Sequence, residues 1–218
     1  MGHEVLIMDI LSKLVIAGIK DITILAGYHD ESVCRKKIKK LTGAGLVNKQ
    51  PSGNGTLMYF LSKKGLSELG INRRPFEYRN QNTNHELMVG KAASYMYIVH
   101  GLSIYDMEFD RSQRSSADNT NIPDILYAGG KRAVEIELTL KEKNRLEEKF
   151  LNVTQSYDLV RWIYPEERPS INARLTQLVD DYSINPKRCK ILTLQYVCAK
   201  VDSYDLKTNN PRFDRRYP

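Results

Sequence analysis

Three acidic residues stand close together in the chain, at Asp124, Glu135 and Glu137, on two short apolar runs joined by Gly129-Gly130. Alternate residues of a strand share a face, so Glu135 and Glu137 point the same way, and a hairpin brings Asp124 beside them. Carboxylates this close repel one another unless a cation or a proton lies among them. Because oxygen ligands suit hard ions, the spacing favours a site for Mg²⁺ or Mn²⁺. The alternative is a half-solvated hairpin whose acidic face meets water.

The pattern of apolar residues before and after the hairpin predicts the helices and strands that position these acids. A helix opens at Asn84 as its N-cap, and a polar loop lies between the first strand and the hairpin. A long charged helix follows the hairpin. The predicted elements are a helix from residue 84, strands at 102–110, 122–128, 132–138, 159–164 and 191–197, and helices at 141–158 and 172–181. This order predicts an α/β domain with a mixed central sheet within an α+β protein.

The positive charge of the chain is concentrated in its first third. The sequence has 33 Lys and Arg against 26 Asp and Glu, a formal net charge of +7. Residues 1–80 hold 13 of these basic residues and 7 of the acidic ones, whereas residues 81–218 hold 20 and 19. A basic balance favours a polyanionic partner, and its location assigns that partner to the N-terminal region.

The N-terminal region is predicted to begin with a helix from Val5 to about Gly18, followed by a short helix at 22–26. A third helix opens with Asp30 as its N-cap and ends at Gly43-Ala44-Gly45. Two strands, 46–49 and 57–61, flank a turn at 51–55, and a helix at 61–70 closes the domain. This order resembles the winged helix-turn-helix family, in which the third helix reads DNA. The resemblance assigns DNA contacts to Ser32, Arg35, Lys36, Lys39, Lys40, Lys49 and Asn54; the alternative is a solvated basic face.

The acidic hairpin, in its order of elements, looks like the PD-(D/E)xK nuclease superfamily. Pro123-Asp124 corresponds to the PD, and Glu135-Ile136-Glu137 to the (D/E)xK. The resemblance implies that Asp124, Glu135 and Glu137 hold Mg²⁺ or Mn²⁺ and act in catalysis. Glu137 stands where that pattern has lysine. Some restriction enzymes also have glutamate at this position. The alternative is a lysine from the next helix, which has Lys141, Lys143 and Arg145; of these we include Lys141 in the catalytic set.

A closer resemblance extends over nearly the whole chain. The winged-helix start, Asn84-His85-Glu86-Leu87, Pro123-Asp124, Glu135-Ile136-Glu137-Leu138-Thr139-x-Lys141 and Tyr157 together look like the replication-relaxation family and the related MobC-type relaxases. The resemblance implies an endonuclease that nicks DNA at a plasmid transfer origin. Its partners would be double-stranded DNA with a single-stranded product, relaxosome or coupling proteins, and a second copy of the chain. The alternatives are a non-catalytic DNA-binding accessory protein or repressor with a degenerate nuclease-like domain, and an endonuclease subunit acting at transposon ends.

The same patterns divide the chain into a winged-helix domain at 1–72, a linker at 73–83, a nuclease-like domain at 84–206 and a basic tail at 207–218. The three cysteines, Cys34, Cys189 and Cys198, are widely spaced and form no CxxC pair, which fits a reducing cytosol. No run has the length and apolarity of a membrane span. We therefore expect a cytoplasmic protein without a membrane partner.

Overall fold

The structure, a computed structural model, describes residues 3–53, 55–77, 80–109, 122–139 and 142–208. These residues form an α+β fold with a three-stranded and a mixed five-stranded sheet, which confirms the predicted class and the mixed sheet. Backbone contacts divide the chain into a first unit, Met1–Ile104 with Val201–Pro218, and a second unit, Tyr105–Lys200. Among the described helices, none combines the length and apolarity needed to cross a bilayer.

The first unit combines helices with a small antiparallel sheet. Its elements are α1 (His3–Leu14), β1 (Ile16–Gly18), α2 (Ile19–Leu25), α3 (Glu31–Gly43), β2 (Val47–Pro51), β3 (Leu57–Leu61), α4 (Lys63–Glu68) and α5 (Asn80–His100). The central strand β3 pairs with both β1 and β2. The apolar faces of α1 and α3 bury Leu11, Leu14, Ile38 and Leu41 in the core. The basic side of α3 is therefore turned outward.

The N-terminus of α3 agrees with the sequence prediction, whereas the C-terminus of α1 does not. Asp30 is the N-cap of α3, as predicted, and its side chain accepts a hydrogen bond from the Ser32 backbone N–H. The predicted continuation of the first helix to Gly18 is wrong, because Val15 has a φ of 70° and Ile16–Gly18 pair with β3 instead. A β-branched residue at positive φ is an outlier that only its surroundings can impose. Periodicity in an all-apolar run does not distinguish a helix from a buried strand.

The second unit is a five-stranded sheet whose strands lie in chain order. Its elements are β4 (Met107–Glu108), β5 (Ile125–Tyr127), β6 (Arg132–Ile136), α6 (Lys143–Ser156), β7 (Leu159–Tyr164), α7 (Pro169–Asp181), β8 (Cys189–Thr193) and α8 (Leu194–Asp202), whose last two residues belong to the first unit. The pairs β4–β5 and β5–β6 are antiparallel, whereas β6–β7 and β7–β8 are parallel. The helices α6 and α7 form the crossovers that parallel neighbours require.

One face of this sheet carries the core of the second unit. Trp162 of β7 is fully buried and stacks on Phe150 of α6, with ring centroids 5.5 Å apart. The same core contains Ala133 of β6 and Leu175 of α7. Since Ala133 and Glu135 are alternate residues of β6, Glu135 points to this helix-covered face rather than to open solvent.

Several predicted boundaries differ from the structure. The strand predicted at 102–110 is a 3₁₀ turn at Ile104–Asp106 followed by the two residues of β4. The strand predicted at 191–197 is divided between β8 and α8. The helix predicted from Asn84 begins at Asn80, inside the predicted linker, and it contacts α2 and β1 of the first unit. Tertiary contacts, which a local pattern does not contain, fix these ends.

Candidate functional site

The three acids of the hairpin are buried. Asp124, Glu135 and Glu137 expose only 2%, 1% and 2% of their surface. This excludes the half-solvated hairpin, in which the acidic face would meet water. Ionised carboxylates are held in an interior only when partners compensate the lost hydration. The contacts of these three residues therefore decide what the site does.

The sheet register explains how the acids come together. Ile125 pairs with Val134, and one further step along the antiparallel register sets Asp124 opposite Glu135. Opposite residues of antiparallel strands carry their side chains on the same face. The Ile136 backbone N–H donates to Asp124 Oδ2 at 2.8 Å, which ties the carboxylate to β6. The Glu137 N–H donates to the carbonyl of Ile163 and extends the parallel ladder beyond β6.

A lysine from the following helix completes the cluster. Lys149 of α6 donates a hydrogen bond to Glu135 Oε1, and its side chain is only 13% exposed. Burial alone would lower the pKa of Lys149, but the charges of Glu135, Asp124 and Glu137 outweigh burial and raise it. The ammonium therefore stays protonated at neutral pH. We name these four residues the acid–lysine cluster.

The basic residues that the sequence suggested for this role are Lys141, Lys143 and Arg145. Lys141 lies outside the described residues, and Lys143 and Arg145 are exposed near the start of α6. Lys149 lies three residues after the buried Leu146 and four before the buried Val153. This spacing puts it on the inward stripe of the helix. A lysine on an otherwise apolar helical stripe was the signal that could have identified it.

The donor chemistry of the cluster fits a hard divalent ion. Asp124 and Glu135 supply carboxylate oxygens from neighbouring strands, and Mg²⁺ is commonly held by one or two carboxylates together with water and substrate phosphate. Within the described ranges, no group of three or more His, Cys, Asp or Glu residues has the arrangement of a metal site. Asp124 and Glu135, which lie opposite each other on neighbouring strands, are the carboxylates that could hold such an ion together.

Most of the residues expected to contact DNA lie on the outer face of α3. Ser32, Arg35, Lys36, Lys39 and Lys40 are exposed, as is Lys49 of β2. Asn54 lies outside the described residues. Arg35 forms an ion pair with Glu31 one turn earlier, at 2.9 Å, with more than half of its side chain exposed.

Three of these cations converge on one concavity. Arg35 and Lys39 of α3 and Lys49 of β2 line a groove of about 500 Å³ whose other walls come from α3 and β3. We call it the α3–β3 groove; its remaining lining residues are Ile38, Thr42, Gly43, Leu57 and Tyr59. Burial raises the pKa of Tyr59, so its hydroxyl stays protonated at neutral pH. Lys36 and Lys40 do not line the groove.

Tyr157, which belongs to the relaxase resemblance, follows the last residue of α6 and packs, half-buried, against the core of the second unit. Burial raises its pKa. A phenol with a raised pKa is a poorer nucleophile at neutral pH, because less of it is ionised. The packing of Tyr157 is that of a core residue.

None of the family models, curated proteins or solved structures compared with this chain gives a significant match.

Proposed function

We propose that this chain is a DNA-binding endonuclease dependent on Mg²⁺ or Mn²⁺, resembling plasmid mobilization relaxases that nick DNA at a transfer origin. The observation that carries the proposal is the contact of Lys149 with Glu135, in the electrostatic field of Asp124 and Glu137. In this chain Glu137 stands where the sequence pattern of the nuclease superfamily has a lysine. A lysine from α6 supplies that group to the same carboxylates.

The architecture of the second unit agrees with this proposal. Asp124 immediately precedes the second strand of the sheet, and Glu135 and Glu137 lie on and just after the third. Three strands, a crossover helix and a fourth strand in one mixed sheet follow the element order on which the resemblance rests, which supports the proposal. The first unit likewise supplies the helices, the basic third helix and the β2–β3 hairpin expected of a winged helix.

The proposed chemistry divides among the four residues of the cluster. Asp124 and Glu135 would hold the divalent ion, which when bound supplies a Lewis acid for the scissile phosphate. Lys149 is held protonated, so it does not accept a proton from water. Its ammonium instead stabilises the negative charge that grows on the phosphate oxygens in the transition state. Glu137, beside the same ammonium, is the remaining carboxylate that can orient the attacking water.

One observation favours a second candidate, the non-catalytic DNA-binding accessory protein. The ammonium of Lys149 already neutralises Glu135, and a buried ion pair of this kind can serve structure alone. In that case the acid–lysine cluster would stabilise the second unit, and DNA binding would be the whole activity.

The experiment that separates the two candidates measures nicking of supercoiled plasmid carrying a candidate origin, with Mg²⁺ or Mn²⁺. We expect Asp124→Asn and Glu135→Gln to lower the nicking rate by about 100-fold or more, as loss of a group acting on the transition state does. Glu148→Gln, an exposed acid beside Lys149, is the matched control and should nick normally. DNA affinity, measured by fluorescence anisotropy, should be the same in all four proteins.

The proposed endonuclease activity would be overturned if the wild-type protein left both the plasmid and single-stranded origin DNA intact. Retained binding in that experiment would then support the accessory protein.

A further inference from the structure

We propose that the α3–β3 groove receives one unpaired nucleotide of the bound DNA, with its base on the apolar floor and its phosphate on the three cations. The proposal rests on the DNA-binding function above and names the kind of DNA that the first unit prefers. Such DNA has a bulge, a fork or a single-stranded end.

The size and floor of the groove suit a single base. A volume of about 500 Å³ lies in the range of small-ligand sites. Ile38, Leu57 and the ring of Tyr59 supply an apolar surface. Leu57 is 40% exposed, although it is a large aliphatic residue in a regular strand. A base face that covers Leu57 would remove this surface from water.

The cations around this floor suit a single phosphate. Arg35 and Lys39 lie one turn apart on α3, and Lys49 reaches the groove from β2, opposite Tyr59 in the strand register. The Arg35–Glu31 pair is exposed, so water and salt weaken it, and a phosphate can displace Glu31 at little cost. Arginine binds phosphate through two parallel N–H groups, which a lysine cannot do.

An unpaired nucleotide fits this combination better than a paired one. In a duplex the base faces are stacked, and only the base edges are accessible in the grooves. The floor of the α3–β3 groove offers apolar contacts suited to a base face. Unstacking and unpairing a base in an intact duplex costs free energy, and a base that is already unpaired avoids this cost.

The test compares two fluorescein-labelled duplexes of about 20 base pairs, one fully paired and one with a single unpaired thymidine, by anisotropy at low salt. We expect the wild-type protein to bind the bulged duplex about 10-fold more tightly, within the range that stacking one base gives. Leu57→Ser should abolish this preference, so that the variant binds the two duplexes with equal affinity. Val99→Ser, an equally exposed apolar residue of α5 outside the groove, is the matched control and should keep the preference.

Equal wild-type affinity for the two duplexes would overturn the inference and leave DNA binding standing. A preference that survives Leu57→Ser would also overturn it, because the base would then bind elsewhere. Failure to bind either duplex would contradict the proposed DNA-binding function itself.

Discussion

Lys149 changes the interpretation of the acidic hairpin at the level of a single residue. Residue types and spacing identified Asp124, Glu135 and Glu137 as a group, because alternation on a strand is a local property. They did not identify Lys149, whose contact with Glu135 depends on how α6 crosses the sheet. The part of the site carried by one hairpin was predictable. The part contributed by another element required the tertiary structure.

We predict that Lys149→Met abolishes nicking and Lys149→Arg restores part of it, because arginine keeps the positive charge beside Glu135. The methionine variant leaves a buried carboxylate without its ammonium, which typically costs about 3–5 kcal/mol of unfolding free energy. A nicking assay measures the effect on activity. Urea unfolding, monitored by the fluorescence of the single tryptophan, Trp162, measures the effect on stability. Because Trp162 and Lys149 lie in the same unit, the unfolding curve also shows whether each variant is folded in the nicking assay. Wild-type nicking by Lys149→Met would remove this residue from the mechanism.

Asp21, in α2, provides a prediction on pH and stability. Burial raises its pKa above the ordinary range; Lys91 at 3.7 Å and a hydrogen bond from Ser94 at 3.0 Å oppose the rise, and Asp202 adds to it. A raised folded-state pKa gives stability that is complete below the unfolded pKa of about 3.9 and is lost as the pH rises through the folded pKa. The wild-type protein should therefore lose stability as the pH rises from the unfolded-state pKa of Asp21 through its folded-state pKa.

We predict that Asp21→Asn, which keeps an acceptor for Ser94 and carries no charge, removes this loss. The difference in melting temperature between variant and wild type should grow as the pH rises from about 4 to 8, reaching a few degrees in favour of the variant. Asp202→Asn leaves Asp21 buried and should keep most of the wild-type pH dependence. A variant that becomes relatively less stable at high pH would show that the ion pair with Lys91 outweighs burial.

At the level of elements, sequence patterns succeeded where local chemistry alone decides. The strand at Leu159–Tyr164 has its predicted bounds, and Asp30 caps α3 as predicted. They failed where a distant partner decides: β1 exists because β3 pairs with it, and the run after Cys189 becomes a helix after Thr193 although its residues suit a strand. Propensity is a weak prior that tertiary contacts override.

The glycines of the first unit give a matched prediction at this scale. A Cβ on Gly65, in the first turn of α4, would lie 2.2 Å from the carbonyl oxygen of Leu46. A Cβ on Gly43, in the last turn of α3, would have nothing within 4 Å, and its φ is not positive. We predict that Gly65→Ala destabilises the first unit by about 2 kcal/mol or more through backbone displacement. Gly43→Ala should be neutral or stabilising by up to about 1 kcal/mol.

Urea unfolding followed by far-ultraviolet circular dichroism checks both glycine variants. Equal stability of the two variants would contradict the close approach of α4 to Leu46, the residue before β2.

At the scale of the whole molecule, the two proposed activities fall in different units, and ionic strength and metal removal should separate them. Each phosphate contact contributes about 0.9 to the slope of log affinity against log salt concentration. Lys36 and Lys40 lie on the outer face of α3, so we predict that Lys36→Ala with Lys40→Ala lowers this slope by about 1.8. Glu135→Gln, in the second unit, should leave it unchanged.

Removal of the metal ion should affect nicking but not DNA binding. EDTA removes the divalent ion that Asp124 and Glu135 would hold, so it should stop nicking, whereas the affinity for DNA should change by less than about twofold. The double lysine variant should nick normally at low salt, where binding is restored, and fail at higher salt. If EDTA abolished binding as well, the metal would belong to the DNA interface, and the assignment of recognition and cleavage to separate units would be wrong.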